Sequence, residues 1–284
     1  MVKKAFVILL LAVSVSCGKL DIKNMLLPLS KDVNLRVSES LAWNASTGVK
    51  IITVPADDYR WYICSDVHIE DSQPANLLAM VQAEKADPNA YFYQLLGDLI
   101  FGTEHMDWVT DIIDDPENDP GFVIIGNHDL FFDNWDAWKA AFHTSTYYYF
   151  VQTPGYKDIY IMLDSANGTL GEKQTAWLED VLSSQRPGCR YCFVSVHTNI
   201  FRTDLTQFPS TNFTLEETYY LLDLMSRSSV DMMVAGHDQF RDVTTYNGVT
   251  YITLDQIKDG TSNASYMKVN VGQTVDYQFV SIND

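Results

Sequence analysis

Short apolar runs alternate with segments of helical spacing along most of the chain from Trp61 onward. Five apolar runs that end in small and polar residues are predicted strands, at 61–64, 91–96, 122–125, 193–196 and 232–235. Five segments are predicted helices, at 74–85, 104–114, 135–142, 172–184 and 214–227. Continuous apolar strands that alternate with helices predict a largely parallel sheet with both faces covered.

Four further segments alternate between apolar and polar residues, at 158–163, 249–254, 266–271 and 275–282. A period of two is typical of antiparallel strands, so we expect these segments to form a second sheet packed on the first. In the predicted helix at 214–227, the spacing places four residues on one face: Leu215, Tyr219, Leu222 and Met225. The pattern therefore predicts an α/β fold, with two stacked sheets and helices outside them.

The first 56 residues have a different character. Residues 1–16 have the pattern of a signal peptide, because Lys3 and Lys4 precede an apolar stretch too short to span a membrane. This predicts export and favours a bacterial periplasm or cell envelope. Cys17 leaves two alternatives, a lipoprotein anchored to a membrane through its thiol and simple secretion after Ser16. Residues 17–56 are an N-terminal extension, expected to add a strand or two to a main domain at 57–284.

The net charge limits the partners. The chain has 284 residues, of which 19 are basic and 37 acidic, and its formal charge is −18. Such a surface repels phosphate backbones, so polymeric nucleic acid is not expected as a partner. A small anionic substrate would need local positive charge, which bound cations can supply.

Three cysteines follow the leader region: Cys64, Cys189 and Cys192. The last two form a C-x-x-C pair, but a redox pair should open a helix and a zinc ribbon needs a second pair. Because the pair runs into the apolar run at 193–196, we interpret it as strand packing. A disulfide between two of the three cysteines stays open in an oxidising compartment.

Polar side chains follow each of the five predicted apolar strands. They are Asp66 and His68, then Asp98, then Asn127, His128 and Asp129, then His197, and finally His237 and Gln239. Open α/β sheets bind ligands at the carboxyl ends of their strands. Carboxylate, imidazole and amide ligands suit Mn, Fe or Zn, so the pattern predicts a metal site without thiolate.

The order D-x-H, G-D, G-N-H-D, H and G-H resembles the calcineurin-like metallophosphoesterase superfamily over about residues 57–255. The resemblance implies a four-layer α-β-β-α sandwich of two mixed sheets and two divalent metal ions. By position, the first metal would be held by Asp66, His68 and Asp98. Asp98 would bridge to the second metal, which Asn127, His197 and His237 would complete. His128 matches the histidine that faces the substrate, and Asp129 would orient and polarise it.

Gln239 departs from the family pattern, which has histidine at the end of its G-H-x-H motif. An amide offers only a neutral carbonyl oxygen, so we predict a weaker first metal site that favours Mn, Fe, Mg or Ca over Zn. Asp238 is an alternative ligand on the same loop.

Two branches of the family are excluded by single positions. Purple acid phosphatases have a metal-binding tyrosine three residues after the Asp of G-D, where this chain has Phe101. Protein Ser/Thr phosphatases have arginines beside G-D and before G-N-H-E, where this chain has Leu99 and Ile125. The sequence is closer to the D-x-H branch of phosphodiesterases and broad phosphatases.

The expected function is metal-dependent hydrolysis of small phosphomono- or phosphodiesters. A metal-bridging hydroxide would attack phosphorus while His128 assists the leaving group. Asn127 and Arg202 are candidate substrate-binding residues, and the segment at 198–213 is either a pocket wall or an ordinary surface loop. His105 and Trp108 follow Asp98 closely enough to approach the site, whereas the run at 147–149 is predicted to be strand packing. The alternative function is a catalytically weak or inactive scaffold that binds partners through the same fold.

Overall fold

The computed structural model describes residues 32–101, 105–201 and 213–283. Within these ranges the chain forms six helices: α1 (Val33–Thr47), α2 (Ala75–Lys85), α3 (Met106–Ile113), α4 (Trp135–Phe142), α5 (Gly171–Ser184) and α6 (Leu215–Arg227). None of the helices in these ranges is long and apolar enough to cross a bilayer. The leader and Cys17 lie outside the described residues, so export and lipid attachment stay predictions.

The described residues also form twelve strands, which are arranged in two sheets. They are β1 (Lys50–Thr53), β2 (Tyr59–Cys64), β3 (Ala90–Leu96), β4 (Gly121–Ile124), β5 (Tyr147–Gln152), β6 (Lys157–Met162), β7 (Cys192–Ser195), β8 (Met232–Ala235), β9 (Asp242–Tyr246), β10 (Val249–Thr253), β11 (Ser265–Val271) and β12 (Val275–Ser281). The larger sheet has the order β1-β5-β6-β7-β8-β10-β9, and the smaller has the order β12-β11-β2-β3-β4. Both are mixed sheets, since parallel pairs such as β2–β3 and β7–β8 lie beside antiparallel pairs such as β2–β11 and β5–β6.

The two sheets pack face to face, and aromatic rings fill the space between them. Trp61 and Phe92 of the smaller sheet contact Tyr160 of the larger sheet, with ring centroids 5.4 and 5.1 Å from it. Helices α2, α3 and α4 cover the outside of the smaller sheet, and α5 and α6 cover the outside of the larger one. The predicted four-layer α-β-β-α sandwich is therefore confirmed.

The predicted division of strands between the sheets was wrong. The five apolar strands do not share one sheet, because β2, β3 and β4 belong to the smaller sheet and β7 and β8 to the larger. The alternating segments are divided as well, with β6 and β10 in the larger sheet and β11 and β12 in the smaller. The hydrophobic pattern reports how deeply each face of a strand is buried, and it carries no information on which neighbour the strand pairs with.

The predicted helices agree with α2 to α6 to within about two residues at their ends. The predicted buried face of α6 needs correction, because Leu215 and Tyr219 are 56% and 67% exposed. Leu222 and Met225 of the predicted face are buried, and Leu221 and Leu224 are buried beside them. The first turns of α6 extend past the edge of the core. Helical spacing alone therefore placed the buried face too close to the N-terminal end of the helix.

Helix α1 was not predicted, although β1 is the strand expected in the extension. The buried residues of α1 include Arg36 and Ser40, so its apolar periodicity is broken. The helix packs against α5 and β5, and β1 pairs with β5 at the edge of the larger sheet. Cys189 and Cys192 are buried and free, as is Cys64, and Cys192 begins β7, as the strand-packing interpretation predicted.

Candidate metal centre

The candidate site lies where strands of both sheets end. The loops after β2, β3 and β4 come from the smaller sheet, and the loops after β7 and β8 come from the larger. Backbone hydrogen bonds join neighbouring loops, from the Asp66 amide to the Gly97 carbonyl (3.1 Å) and from the Gly236 amide to the His197 carbonyl (3.0 Å). The site is therefore a cleft between two sheet edges, and not one edge of a single sheet.

Five of the predicted ligands have left-handed backbone conformations. Their φ angles are 57° at Asp66, 46° at His68, 51° at Asp98, 66° at His237 and 59° at Gln239. A side chain in this region costs about 1 kcal/mol or more, and such residues concentrate at functional sites where the surrounding structure enforces them. The conformation turns the chain sharply at each strand end and directs these side chains into the cleft.

Asp98 lies at the centre of the cleft. Its Oδ2 atom is 3.8 Å from Nε2 of His68 and also 3.8 Å from Nε2 of His128, while its Oδ1 atom is 3.3 Å from Nε2 of His197. The donor atoms of two trios lie within 4.8 Å of one another, His68 with Asp98 and His128, and Asp98 with His197 and His237. One carboxylate thus belongs to two groups of potential metal ligands.

Asp66 and Gln239 complete the first group. The Oδ1 atom of Asp66 is 3.5 Å from Nε2 of His68, and its Oδ2 atom accepts hydrogen bonds from the Ser65 hydroxyl (2.6 Å) and the His237 amide (2.9 Å). The amide group of Gln239 reaches the same place, with its nitrogen 3.0 Å from Nε2 of His68. Rotation of the side-chain amide by half a turn would exchange its nitrogen and oxygen, so that the carbonyl oxygen could face a cation.

His197 is held at both ring nitrogens. Its Nδ1 lies 2.7 Å from the Leu96 carbonyl, and its Nε2 lies 3.1 Å from Oδ1 of Asn127. A metal-binding histidine commonly donates its other N–H to a backbone carbonyl, which fixes the ring and its tautomer. His237 stands beside it, with ring centroids 5.1 Å apart.

The buried charges of the cleft depend on one another. Burial alone would raise the pKa of Asp98, but the nearby charges of His197 and His128 hold it well below the usual value. Burial would likewise lower the pKa of His197, yet Asp98 raises it to about 10. Three carboxylates, those of Asp66, Asp98 and Asp129, are fully buried at this one place. Such a concentration of negative charge needs cations beside it, and metal ions can provide them.

Comparison with known proteins agrees with this geometry. The profile of the calcineurin-like phosphoesterase family matches residues 59–239, which is more than half of the chain. The chain belongs to this family. No curated protein sequence matches the chain significantly.

Several solved structures share the calcineurin-like phosphoesterase fold. A dimetal phosphatase from Danio rerio is 14% identical, with a TM-score of 0.60 over 78% of this chain and 98% of that one. Purple acid phosphatase PPD1 from yellow lupin is 13% identical, with a TM-score of 0.61 over 81% of this chain and 53% of that one. GAP50 from Plasmodium, described as the anchor in the inner membrane complex, is 16% identical, with a TM-score of 0.59 over 79% and 84%. Identities this low show the fold alone.

In this calcineurin-like phosphoesterase, the Asp129 carboxylate is hydrogen-bonded to the backbone of two neighbouring loops. Its Oδ1 atom accepts hydrogen bonds from the amides of Leu99 (2.9 Å) and Ile100 (3.0 Å), and its Oδ2 atom accepts one from the amide of Gly126 (2.8 Å). The carboxylate therefore joins the backbones of two loops that carry predicted ligands, a role that its sequence position did not suggest. The predicted role of orienting His128 stays a prediction.

Two serines that hold the predicted ligands of this phosphoesterase were missed. Ser65 donates to Asp66, and the Ser165 hydroxyl accepts hydrogen bonds from the amides of His197 (3.0 Å) and Thr198 (2.8 Å). Ser65 could have been found, because it directly precedes the D-x-H motif. Ser165 follows β6 at a place with no motif, so only the fold reveals its role.

Two motif glycines of this phosphoesterase allow the loops to approach closely. A methyl group on Gly126 would lie 2.2 Å from the backbone nitrogen of Asp98. A methyl group on Gly236 would lie 1.7 Å from the Ser65 hydroxyl oxygen. The glycines of G-N-H-D and G-H are thus required by contact between ligand loops.

The remaining predicted residues are less informative. Arg202 lies outside the described residues, and so does most of the segment at 198–213; Phe201 stacks on Tyr251 with ring centroids 5.2 Å apart. His105 stacks on Trp108 with centroids 4.0 Å apart, and neither belongs to the two ligand trios. The tyrosine run at 147–149 lies in β5, as predicted.

Proposed function

We propose that this protein is an exported dinuclear-metal phosphoesterase that hydrolyses small phosphomono- or phosphodiesters. One observation carries the proposal, the position of Asp98 between two groups of imidazoles. Its two carboxylate oxygens face His68 and His128 on one side and His197 on the other. A structural carboxylate would need only one such neighbour, whereas a carboxylate shared by two metals needs ligands on both sides.

The side chains present fit two divalent cations of the Mn, Fe or Zn type. Asp66, His68 and Asp98 would hold the first, with Gln239 as a weak fourth ligand. Asp98, Asn127, His197 and His237 would hold the second. The absence of sulfur from this donor set argues against a soft-metal site, and the neutral amide of Gln239 supports lower affinity at the first position.

When bound, two such cations would make a coordinated water more acidic and would neutralise charge on phosphoryl oxygens. The protein's own residues would position the ester. Nδ2 of Asn127 is buried and has no hydrogen-bond partner among the described residues, so it is available to a phosphoryl oxygen. His128 is placed to give a proton to the leaving oxygen, since its Nε2 atom lies at the candidate centre, 3.8 Å from Oδ2 of Asp98.

The cellular setting is also part of the proposal. The signal-like pattern at 1–16 supports export to a bacterial periplasm or envelope, with Cys17 as the site of a lipid anchor. Fractionation of cells that express the full chain and its Cys17→Ser variant tests both points. Membrane association that is lost in the variant is expected, and cytoplasmic retention of the full chain would contradict export.

A catalytically weak scaffold is the second candidate. Gln239 at a ligand position favours it, and the likeness in fold to a Plasmodium protein described as an anchor supplies a precedent for binding roles. Against it stands His128, which a scaffold does not need at this position.

Assays with p-nitrophenyl phosphate and bis-p-nitrophenyl phosphate in added Mn²⁺ decide between the two. We expect turnover of at least one ester, and the preferred ester tells monoesterase from diesterase. The His128→Ala variant should lose about 10²–10⁴ in turnover while its metal content is unchanged. No turnover of either ester with two metals bound would overturn the enzyme proposal, and unchanged turnover in the variant would remove His128 from the mechanism.

A further inference from the structure

Three phenylalanines form an aromatic cluster beside His128. Phe101 follows the Asp98 loop, and Phe131 and Phe132 follow G-N-H-D. The Phe101 ring lies edge-to-face against Phe131 and Phe132, with centroid distances of 5.1 and 5.6 Å. Edge-to-face contacts of this kind stabilise aromatic clusters.

The cluster is only partly covered. Phe131 is buried, but Phe101 is 46% exposed and Phe132 is 59% exposed. Two large apolar rings side by side in solvent bring no benefit from burial to the free protein, and adjacent exposed apolar surface commonly marks a binding site.

The same cluster is continuous with the proposed catalytic residue. The His128 ring centroid is 4.8 Å from that of Phe131 and 5.6 Å from that of Phe101. If His128 protonates the leaving oxygen, the group attached to that oxygen would pass beside these rings. It would then lie over the exposed faces of Phe101 and Phe132.

The backbone holds Phe132 outward at a cost. Phe132 and Asp133 both have left-handed φ angles, 63° and 60°, which is unfavourable for a bulky side chain. The turn is held by a hydrogen bond that the Asn134 side chain donates to the Asp129 carbonyl oxygen (2.9 Å). An asparagine or glycine would fit this position with less strain, so folding alone does not account for an aromatic ring here.

We propose that Phe101 and Phe132 form the binding surface for the leaving group, and that the preferred substrates are phosphoesters of apolar, ring-bearing alcohols. The inference rests on the proposed function, since it places the ester by the chemistry of His128. Phe101 and Phe132 would contact only the departing alcohol and would take no part in proton transfer.

Two esters with leaving groups of similar basicity test the proposal, 2-phenylethyl phosphate and ethyl phosphate. In the metal-loaded protein we expect a kcat/KM at least about tenfold higher for the phenyl ester, as is typical when an apolar pocket gains a group to bind. The Phe132→Ala variant should lose most of this ratio, mainly through a higher KM for the phenyl ester. The Phe132→Asn variant should lose it too, and it relieves the backbone strain, so failure to fold is not expected. Tyr219→Ala removes an exposed ring on α6 and should keep the ratio of the wild type.

Calorimetry with the matching phosphonates, which are not hydrolysed, separates this proposal from the function itself. Tighter binding of 2-phenylethylphosphonate than of ethylphosphonate, with the difference lost in Phe132→Asn, supports the surface even in a protein without turnover. Turnover of both esters at similar kcat/KM, or equal affinity for the two phosphonates, would overturn the surface while leaving the hydrolase proposal intact. Absence of turnover combined with a phenyl preference in binding would overturn the hydrolase proposal alone.

Discussion

The Asp129→Asn substitution distinguishes two roles for the carboxylate that follows His128. If Asp129 clamps the ligand loops, the amide can replace only part of what the carboxylate does. Its oxygen can still accept from Leu99 and Ile100, but its NH₂ group would then face the N–H of Gly126, which donates to Oδ2 in the native protein. One buried backbone N–H is left without an acceptor, and two charge-assisted hydrogen bonds become neutral ones.

The expected loss of stability follows from these contacts. An unsatisfied buried N–H costs about 1–3 kcal/mol, and the weakened bonds add to this. An opposing effect reduces the loss, because burial and the charge of Asp98 raise the pKa of Asp129 to about 7, and the neutral amide removes that repulsion. We therefore expect a net decrease of about 1–3 kcal/mol in the free energy of unfolding of the metal-free protein. Displaced loops should also lower the amount of metal retained after dialysis.

Urea unfolding and elemental analysis of dialysed protein measure the two effects. A double variant that combines Asp129→Asn with His128→Ala shows whether Asp129 affects turnover through His128 or independently of it. If Asp129 acts by holding the loops together, Asp129→Asn should lower turnover further in the His128→Ala background. Unchanged stability and metal retention, together with no further effect in the double variant, would refute the clamp and restore the predicted role of orienting His128.

Three more predictions concern polar groups that are buried or partly buried. The carboxylate of Glu84 is buried without a hydrogen-bond partner among the described residues, and burial together with the charges of Asp119 and Asp87 raises its pKa from 4.5 to about 8. Between about pH 4.5 and pH 8 the folded protein therefore keeps a proton that the unfolded chain releases, so the free energy of unfolding should fall as the pH rises through this range. The Glu84→Gln variant should show a smaller decline in urea titrations between pH 5 and 9. The Arg36→Met variant leaves the buried carboxylate of Asp164 without its cation, so it should lower the free energy of unfolding by about 3–5 kcal/mol. A loss below about 1 kcal/mol would show that the fold does not require this ion pair. Replacing Gln239 with histidine should raise the metal retained after dialysis towards two ions per chain, and a wild type that already keeps two zinc ions would refute the weak first site.

The candidate ligands could be picked out from the sequence because each is encoded locally. Asp66, Asp98 and His197 directly follow short apolar runs, and the end of such a run is visible without knowledge of the fold. The rule that parallel strands end on the same side of a sheet accounts for the closeness of Asp66 and Asp98. His197 follows a strand of the other sheet, so its approach to them depends on how the two sheets pack. The partition into two sheets could not be predicted, since β10 pairs with β8, which is close in the chain, whereas β11 pairs with β2 across most of the chain. Both strands have similar alternating patterns, and nothing in either specifies its partner.

The support of the site was also hidden from the sequence. Arg36 of α1 binds Asp164 through two hydrogen bonds of 2.8 and 2.9 Å, and Ser165 next to it accepts from the amide of His197. A buried arginine in a helix appears in the sequence as a solvated residue, because the carboxylate that neutralises it lies far away in the chain. The extension at 17–56 thus contributes, through α1, to the position of a predicted metal ligand.

Because the predicted ligands come from both sheets, metal binding at the candidate centre would be linked to the packing of the sandwich. Behind Asp98, the Gln94 side chain of the smaller sheet donates to the Tyr149 hydroxyl (2.6 Å) and accepts from the Ser195 hydroxyl (2.8 Å), both in the larger sheet. This buried amide fixes the position of one sheet relative to the other, and so the distance from Asp98 to His197. Metal ions that bind both sides would in turn stabilise the packed sheets, since a ligand that binds only the folded state raises its stability. Loss of the Gln94 contacts should therefore weaken metal binding, although Gln94 itself is no ligand, because the cleft exists only while the two sheet edges keep their separation.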